Sequence, residues 1–290
     1  ELNEETSIKS VEIIKEIENW YTYELPNYLL GKIWKGKFRG QKQKWFLILG
    51  IGVLISTPVL AEIKTLFYEF EKSEQWFYKV TTNNIKKVGN DRITYKLTTE
   101  AQKDFKLANL KPYDMVLFGT HGIGGWGSYH LEGVEKDLIS YVKDGGLILV
   151  HSSDDKFFKG DMFPVELLMQ ENGDEDFEVT AEGRKLGIFD QPNKIKNVIE
   201  DDTYQKVDKP WVVLAQSKGK NTPHTLQLKH GLGEYIVTPC RGDGNKGQAE
   251  SNQPFFENLI HYLAKRVKQI QAVDSAHKLA VYWGEVKTYQ

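Results

Sequence analysis

Two apolar runs, Met115 to Phe118 and Leu147 to Val150, are bounded by glycine and separated by a segment, Leu131 to Val142, whose apolar residues recur at helical spacing. Unbroken hydrophobicity over four residues is the mark of a strand buried on both faces, and spacing of three and four is that of an amphipathic helix. The unit reads as strand, helix, strand. Its helix stops at Asp144-Gly145-Gly146, where glycine takes the left-handed conformation that ends helices.

The same patterning extends both ways. Residues 1–43 form a prelude in which Glu4-Glu5-Thr6-Ser7 opens a helix with Val11, Ile14, Ile17 and Trp20-Tyr21 in one stripe. A first strand is expected at Trp45 to Gly50, then a helix from Ser56-Thr57-Pro58 to Phe70, with Ser or Thr as cap and Pro in the first turn. Trp76 to Thr82 reads as a second strand, Ile85 to Leu97 as a hairpin, and Leu110 to Thr120 as the third strand. After an irregular region come strand-like Phe177 to Thr180 and Trp211 to Ala215. A hairpin, His224 to Leu228 and Gly233 to Thr238, precedes a closing helix, Pro254 to Val267. This gives an extension (1–43), an α/β domain (44–267) and a tail (268–290). Alternating strands and helices on short loops argue for a doubly wound, mainly parallel sheet with helices on both faces.

Trp45 to Ala61 is almost wholly apolar and follows a basic stretch, as a signal peptide or a short membrane span does. Its glycines and Pro58 favour the strand-then-helix reading. A soluble domain is preferred, with an exported or anchored protein as the alternative.

Composition changes this picture little. The chain has 290 residues and a formal net charge of −2, with acidic and basic residues mixed, so neither nucleic acid nor an anionic membrane is the expected partner. Lys35 to Lys44 reads as a solvated loop. A single cysteine, Cys240, excludes an internal disulfide and a cysteine-based zinc site, and reads as a small core residue.

Open α/β sheets bind ligands at the carboxyl ends of their strands. His121 and His151-Ser152 fall there, with Asp154 close behind, and form the candidate catalytic set: Ser152 as nucleophile, a histidine as its base. The motif is not Gly-x-Ser-x-Gly, and capping of the following turn by Ser152 or Ser153 is the preferred reading. Trp126 and Tyr129 are candidates for stacking on a sugar ring, and His130, Asp155, Arg241 and Asp243 for contacting substrate. His121, His130 and His151 with Asp154, Asp155 and Asp161 include the residue types for a divalent metal, although their spacing fits no named motif. The Gly122 to Gly127 loop lacks the lysine of a phosphate-binding loop and reads as a rim.

Leu-Lys-Pro-Tyr-Asp-Met-Val-Leu-Phe (110–118), then Tyr-Val-Lys-Asp-Gly-Gly-Leu-Ile-Leu-Val-His-Ser (141–152), resembles the trehalose-utilisation (ThuA-like) branch of the class I glutamine amidotransferase-like superfamily. The hairpin around His230-Gly231-Leu232-Gly233 and the helix from Gln253 are similar to that family's closing elements. The resemblance implies a flavodoxin-like sheet with a pocket at its carboxyl edge and, in some relatives, sugar-related or hydrolytic roles. It does not imply glutamine hydrolysis, which needs a cysteine thiolate at the turn that here reads Val150-His151-Ser152-Ser153. Two readings stay open. One is an enzyme binding or processing a carbohydrate or related small polar molecule; the other is a non-catalytic subunit of a larger assembly or homo-oligomer.

Overall fold

The computed structural model describes residues 62–70, 75–119, 122–151, 154–171, 176–200, 202–241 and 246–286, with four short segments at 12–16, 21–24, 40–43 and 46–49. The chain divides into two compact units, Glu1–Val59 and Leu60–Gln290.

In the first unit, β1 (Glu12–Glu16) pairs antiparallel with β4 (Phe46–Leu49), and β2 (Tyr21–Glu24) pairs antiparallel with β3 (Gly40–Gln43). This corrects the expected N-terminal helix. Ile13 and Ile14 are β-branched, and pairing with the apolar Phe46–Leu49 overrides a local helical spacing that propensity supports only weakly. The expected strand at 45–50 is β4; residues 50–61 lie outside the described residues.

The second unit is built on one sheet: β5 (Glu62–Tyr68), β6 (Lys87–Val88), β7 (Asp91–Thr98), β8 (Met115–Phe118), β9 (Leu147–His151), then, after a separate two-stranded pair β10 (Met169–Gln170) and β12 (Thr203–Tyr204), β11 (Phe177–Val179), β13 (Val212–Ser217), β14 (Pro223–His230) and β15 (Gly233–Thr238). Spatially the order is β11-β13-β14-β15-β9-β8-β5-β7-β6. The contiguous centre, β15-β9-β8-β5-β7, is parallel; the strands outside it pair antiparallel.

Alternation along the central strands divides the core in two. Leu66, Tyr68, Val116, Phe118, Ile148, Val150 and Tyr235 face a layer made by α2 (Ala101–Asp104), α3 (Leu107–Leu110) and α4 (Glu135–Lys143). Ile63, Phe67, Met115, Leu117, Leu147, Leu149 and Ile236 face α1 (Trp76–Asn84) and α6 (Lys246–Val286), through Phe77, Phe255, Phe256, Leu259 and Leu263. A short helix, α5 (Ala181–Leu186), is capped by the Thr180 hydroxyl, which accepts from Gly183 N–H at 3.1 Å.

Two expectations fail here for one reason. Glu62–Tyr68 is a strand where the second half of a helix was expected, and Trp76–Asn84 is a helix where a strand was expected. Short apolar or aromatic runs do not separate the two periods; burial does. Ile63, Thr65, Leu66, Phe67 and Tyr68 are all enclosed between β7 and β8, whereas the Trp76 segment buries only Phe77, Val80 and Thr81, one helical face, against α6. The hairpins at β6–β7 and β14–β15 form as expected. The closing helix starts earlier than Pro254, which lies inside it.

Among the described residues no helix is long and apolar enough to cross a membrane.

Candidate functional site at the carboxyl edge

The residues just beyond the parallel strands are Glu69 after β5, Gly119 after β8, His151 ending β9 and Thr238 ending β15. Glu69 is almost fully buried, and its carboxylate has a structural task. Gln75, at the start of α1, provides no side-chain cap; Glu69 Oε1 instead accepts the Tyr78 N–H at 3.0 Å. A carboxylate at a helix N-terminus satisfies a donor that otherwise lacks a partner and meets the positive end of the helix dipole. The seat requires glycine at 119, since an added Cβ would overlap the Glu69 carboxyl group.

His151, expected as an acid-base or ligand-contacting group, is fully buried. Its ring stacks on Phe77 (4.6 Å, 11°) and meets Phe256 edge-on (4.8 Å), on the side of α1 and α6. His121, Ser152 and Asp243 lie outside the described residues, as does the side chain of Trp126.

The loops following β5, β8 and β9 converge. The His130 ring lies 4.9 Å from Phe70, and that of Tyr129 5.0 Å from Phe157. The backbones are stitched by Gly125 N–H to Lys156 O (2.6 Å) and Lys159 N–H to Ile123 O (2.9 Å). Tyr129 and Phe157 are each about half exposed (53% and 51%), so this ring pair faces solvent at the rim. Phe157 has φ = 58° in a turn closed by Phe158 N–H to Asp155 O (3.4 Å); positive φ at the third position of a turn is glycine's usual place.

Asp154 and Asp155 sit at the same rim with a residue the sequence did not mark, Asp202. One oxygen from each lies within 4.8 Å of the others. Asp202 is buried and Oδ2 accepts the Asp155 N–H at 2.8 Å; Asp154 Oδ1 accepts the Lys156 N–H at 2.9 Å. This all-oxygen set suits a hard cation or the hydroxyls of a polyol. The mixed imidazole and carboxylate set does not assemble among the described residues: His130 lies against Phe70, His151 packs between phenylalanines, and Asp161 is exposed and pairs with Lys159 (3.4 Å).

A second polar group set, also unmarked in the sequence, crosses the ends of β14 and β15. His224 Nε2 pairs with Glu200 and Nδ1 lies 2.7 Å from the Thr225 hydroxyl; Thr225 reaches Thr238 (3.4 Å), and Thr238 donates to Cys240 Sγ (3.1 Å). All are buried. Burial pushes the Cys240 thiol well above its ordinary range, and the neighbouring Glu200 carboxylate adds to this, against the Thr238 hydrogen bond. Cys240 is thus a buried core thiol, as expected.

Because β15 runs parallel to β9, Arg241 is at the carboxyl edge. Its backbone N–H bonds Ile199 O (2.7 Å), and its carbonyl is held by Asn252, which also bonds both backbone groups of Ile199. Asn258 does the same for Ile188 and Asn193. These two asparagines of α6 fix the 188–200 segment that delivers Glu200 and leads to Asp202. A cleft of about 310 Å³, lined by Leu107, Tyr113, Tyr141, Gly146 and Ile270, opens at the opposite, amino edge.

Comparison with known proteins shows the fold and a short sequence match. No protein-family model matches the chain. A ThuA-like protein from Bacteroides uniformis superposes with a TM-score of 0.51 at 16% identity, covering 73% of this chain and 95% of that one. This share exceeds what the first unit contains, so the likeness lies largely in the second. RNA pyrophosphohydrolases of Pelagibacter ubique (64% identical over 52 residues) and Bradyrhizobium sp. (54% over 48) match 18% and 17% of the chain. The chain spans about a third of the length of these curated relatives (33% and 29%).

Proposed function

We propose that the second unit binds a carbohydrate or a related small polar molecule at the carboxyl edge of β5, β8 and β9. The carrying observation is the convergence there of an exposed ring pair, Tyr129 and Phe157, with three clustered carboxylates, Asp154, Asp155 and Asp202. A ring face takes the C–H face of a sugar while carboxylate oxygens accept from its hydroxyls. Numbered along the chain, the parallel strands lie in the order 2-1-3-4-5, that of flavodoxin-like doubly wound sheets, which bind at the switch point between the first and third strands, here β5 and β8. This order supports placing the chain in the glutamine amidotransferase-like superfamily. His121 and Ser152, which follow β8 and β9 in the sequence, are the proposed catalytic groups of a hydrolase, with Asp154; buried His151 is proposed to position the β9 turn.

Titration calorimetry with neutral mono- and disaccharides tests the reading. Saturable binding that weakens at least tenfold in Tyr129→Ala and in Asp202→Asn is expected; sugar binding indifferent to both changes would remove the carboxyl edge from consideration.

A second reading concerns the first unit. We infer that the 48–52 residues shared with RNA pyrophosphohydrolases belong to it. Its residues 32–45 carry Lys32, Lys35, Lys37, Arg39, Lys42 and Lys44 among Trp34, Phe38 and Trp45, with no acidic residue. Basic residues interleaved with aromatics suit phosphates and stacked bases. Retention of 5′-triphosphorylated RNA that falls steeply with salt supports this; salt-insensitive or absent retention opposes it.

A further inference from the structure

We propose that a separate phosphate-binding site lies between β5 and β7, on the amino half of the sheet, and takes inorganic phosphate or a phosphate monoester. A cleft of about 220 Å³ is lined there by Lys64, Thr65, Thr94, Tyr95, Lys96 and Tyr113. Register explains the convergence. Lys64 pairs with Thr94 and Leu66 with Lys96, so the side chains of Lys64, Thr94 and Lys96 share the face on which Leu66 enters the core. Two like charges on one face of neighbouring strands repel.

The protein neutralises one of them. Lys96 Nζ lies 3.6 Å from Asp104 and 5.9 Å from the centroid of the Tyr113 ring, over its face. Lys64 makes no ion pair among the described residues; the nearby Asp114 carboxylate accepts its backbone N–H at 2.8 Å and the Gln271 amide at 3.1 Å. Tyr113 and Thr94 line the same space. Two lysines and Thr94 around one cleft match the charge and the several acceptor oxygens of phosphate better than those of a monocarboxylate. Asp104 then acts as an internal competitor for Lys96.

Titration calorimetry at low ionic strength, with inorganic phosphate and with glycerol 3-phosphate, tests this; the tighter of the two identifies free phosphate or a monoester as the ligand. Saturable binding is expected, at least tenfold weaker in Lys64→Ala and several-fold tighter in Asp104→Asn, which frees Lys96. Neither substitution touches the core, and circular dichroism checks that both variants fold. No saturable heat with either probe, or unchanged affinity in Lys64→Ala, would overturn the proposal. Neutral sugars, the probes of the carboxyl edge, should not compete, so each site stands or falls separately.

Discussion

The ring of Tyr141 lies directly on the bare Cα of Gly146, and its hydroxyl donates to Tyr113 O at 3.1 Å. One side chain thus ties the end of α4 to the start of both β8 and β9. The Tyr-Val-x-x-Gly-Gly pattern is therefore an architectural device at the amino edge. Burial, with the Asp114 carboxylate nearby, pushes the Tyr141 hydroxyl well above its ordinary range, so it stays a donor.

Gly146→Ala should overpack this contact and destabilise the protein by about 2 kcal/mol. The midpoint of urea unfolding reads the loss, and Tyr141→Leu, which clears the ring, should recover part of it in the double variant.

Glu234, fully buried at the start of β15, is held by Arg266 Nε (3.0 Å) and Gln227 (3.2 Å). Arg266→Ala strands a buried carboxylate and should cost on the order of 3 kcal/mol. Combining it with Glu234→Gln should cost less than Arg266→Ala alone, by thermal unfolding.

Glu135 at the start of α4 is partly buried, which by itself raises its pKa, but backbone N–H groups and the Lys159 ammonium at 3.4 Å outweigh this and hold it below the usual range. A carboxylate with a depressed folded pKa contributes stability that is present above its unfolded pKa and is lost as pH falls through the folded one. Lys159→Met should raise the Glu135 pKa, visible by carbon NMR, and move acid unfolding to higher pH. A Glu135 titration unmoved by the substitution would contradict this.

Phe157→Gly should relieve the positive φ and stabilise the fold by about 0.5–1 kcal/mol. It removes the rim's ring pair at the same time, so sugar affinity should fall while the melting temperature rises.

Cys240 should resist a thiol reagent such as dithionitrobenzoate in the native protein and react fully in guanidinium. Fast native labelling would contradict its burial beneath Thr238.

The centre of the fold was legible because β8 and β9 are glycine-bounded apolar runs and their side chains have nowhere to go but a two-sided core. The ends were less so. Trp76-Phe77-Tyr78 has strand-like composition but one buried face, and Ile13-Ile14 helical spacing but a partner in β4. At the site, Asp154 and Asp155 were visible because they follow β9 directly. Asp202, Glu69 and the Glu200–His224 pair were not, because Asn252, Asn258 and Gly119 bring them into place from distant segments, a signal that no local pattern carries.

Glu69 caps α1 from the end of a different element, so the helix borrows its first turn from the closure of β5 against β8. Any event that spreads those two strand tips, a ligand arriving included, withdraws the cap. The exchange rate of the single Tyr78 amide hydrogen is therefore a built-in gauge of how often the carboxyl edge opens.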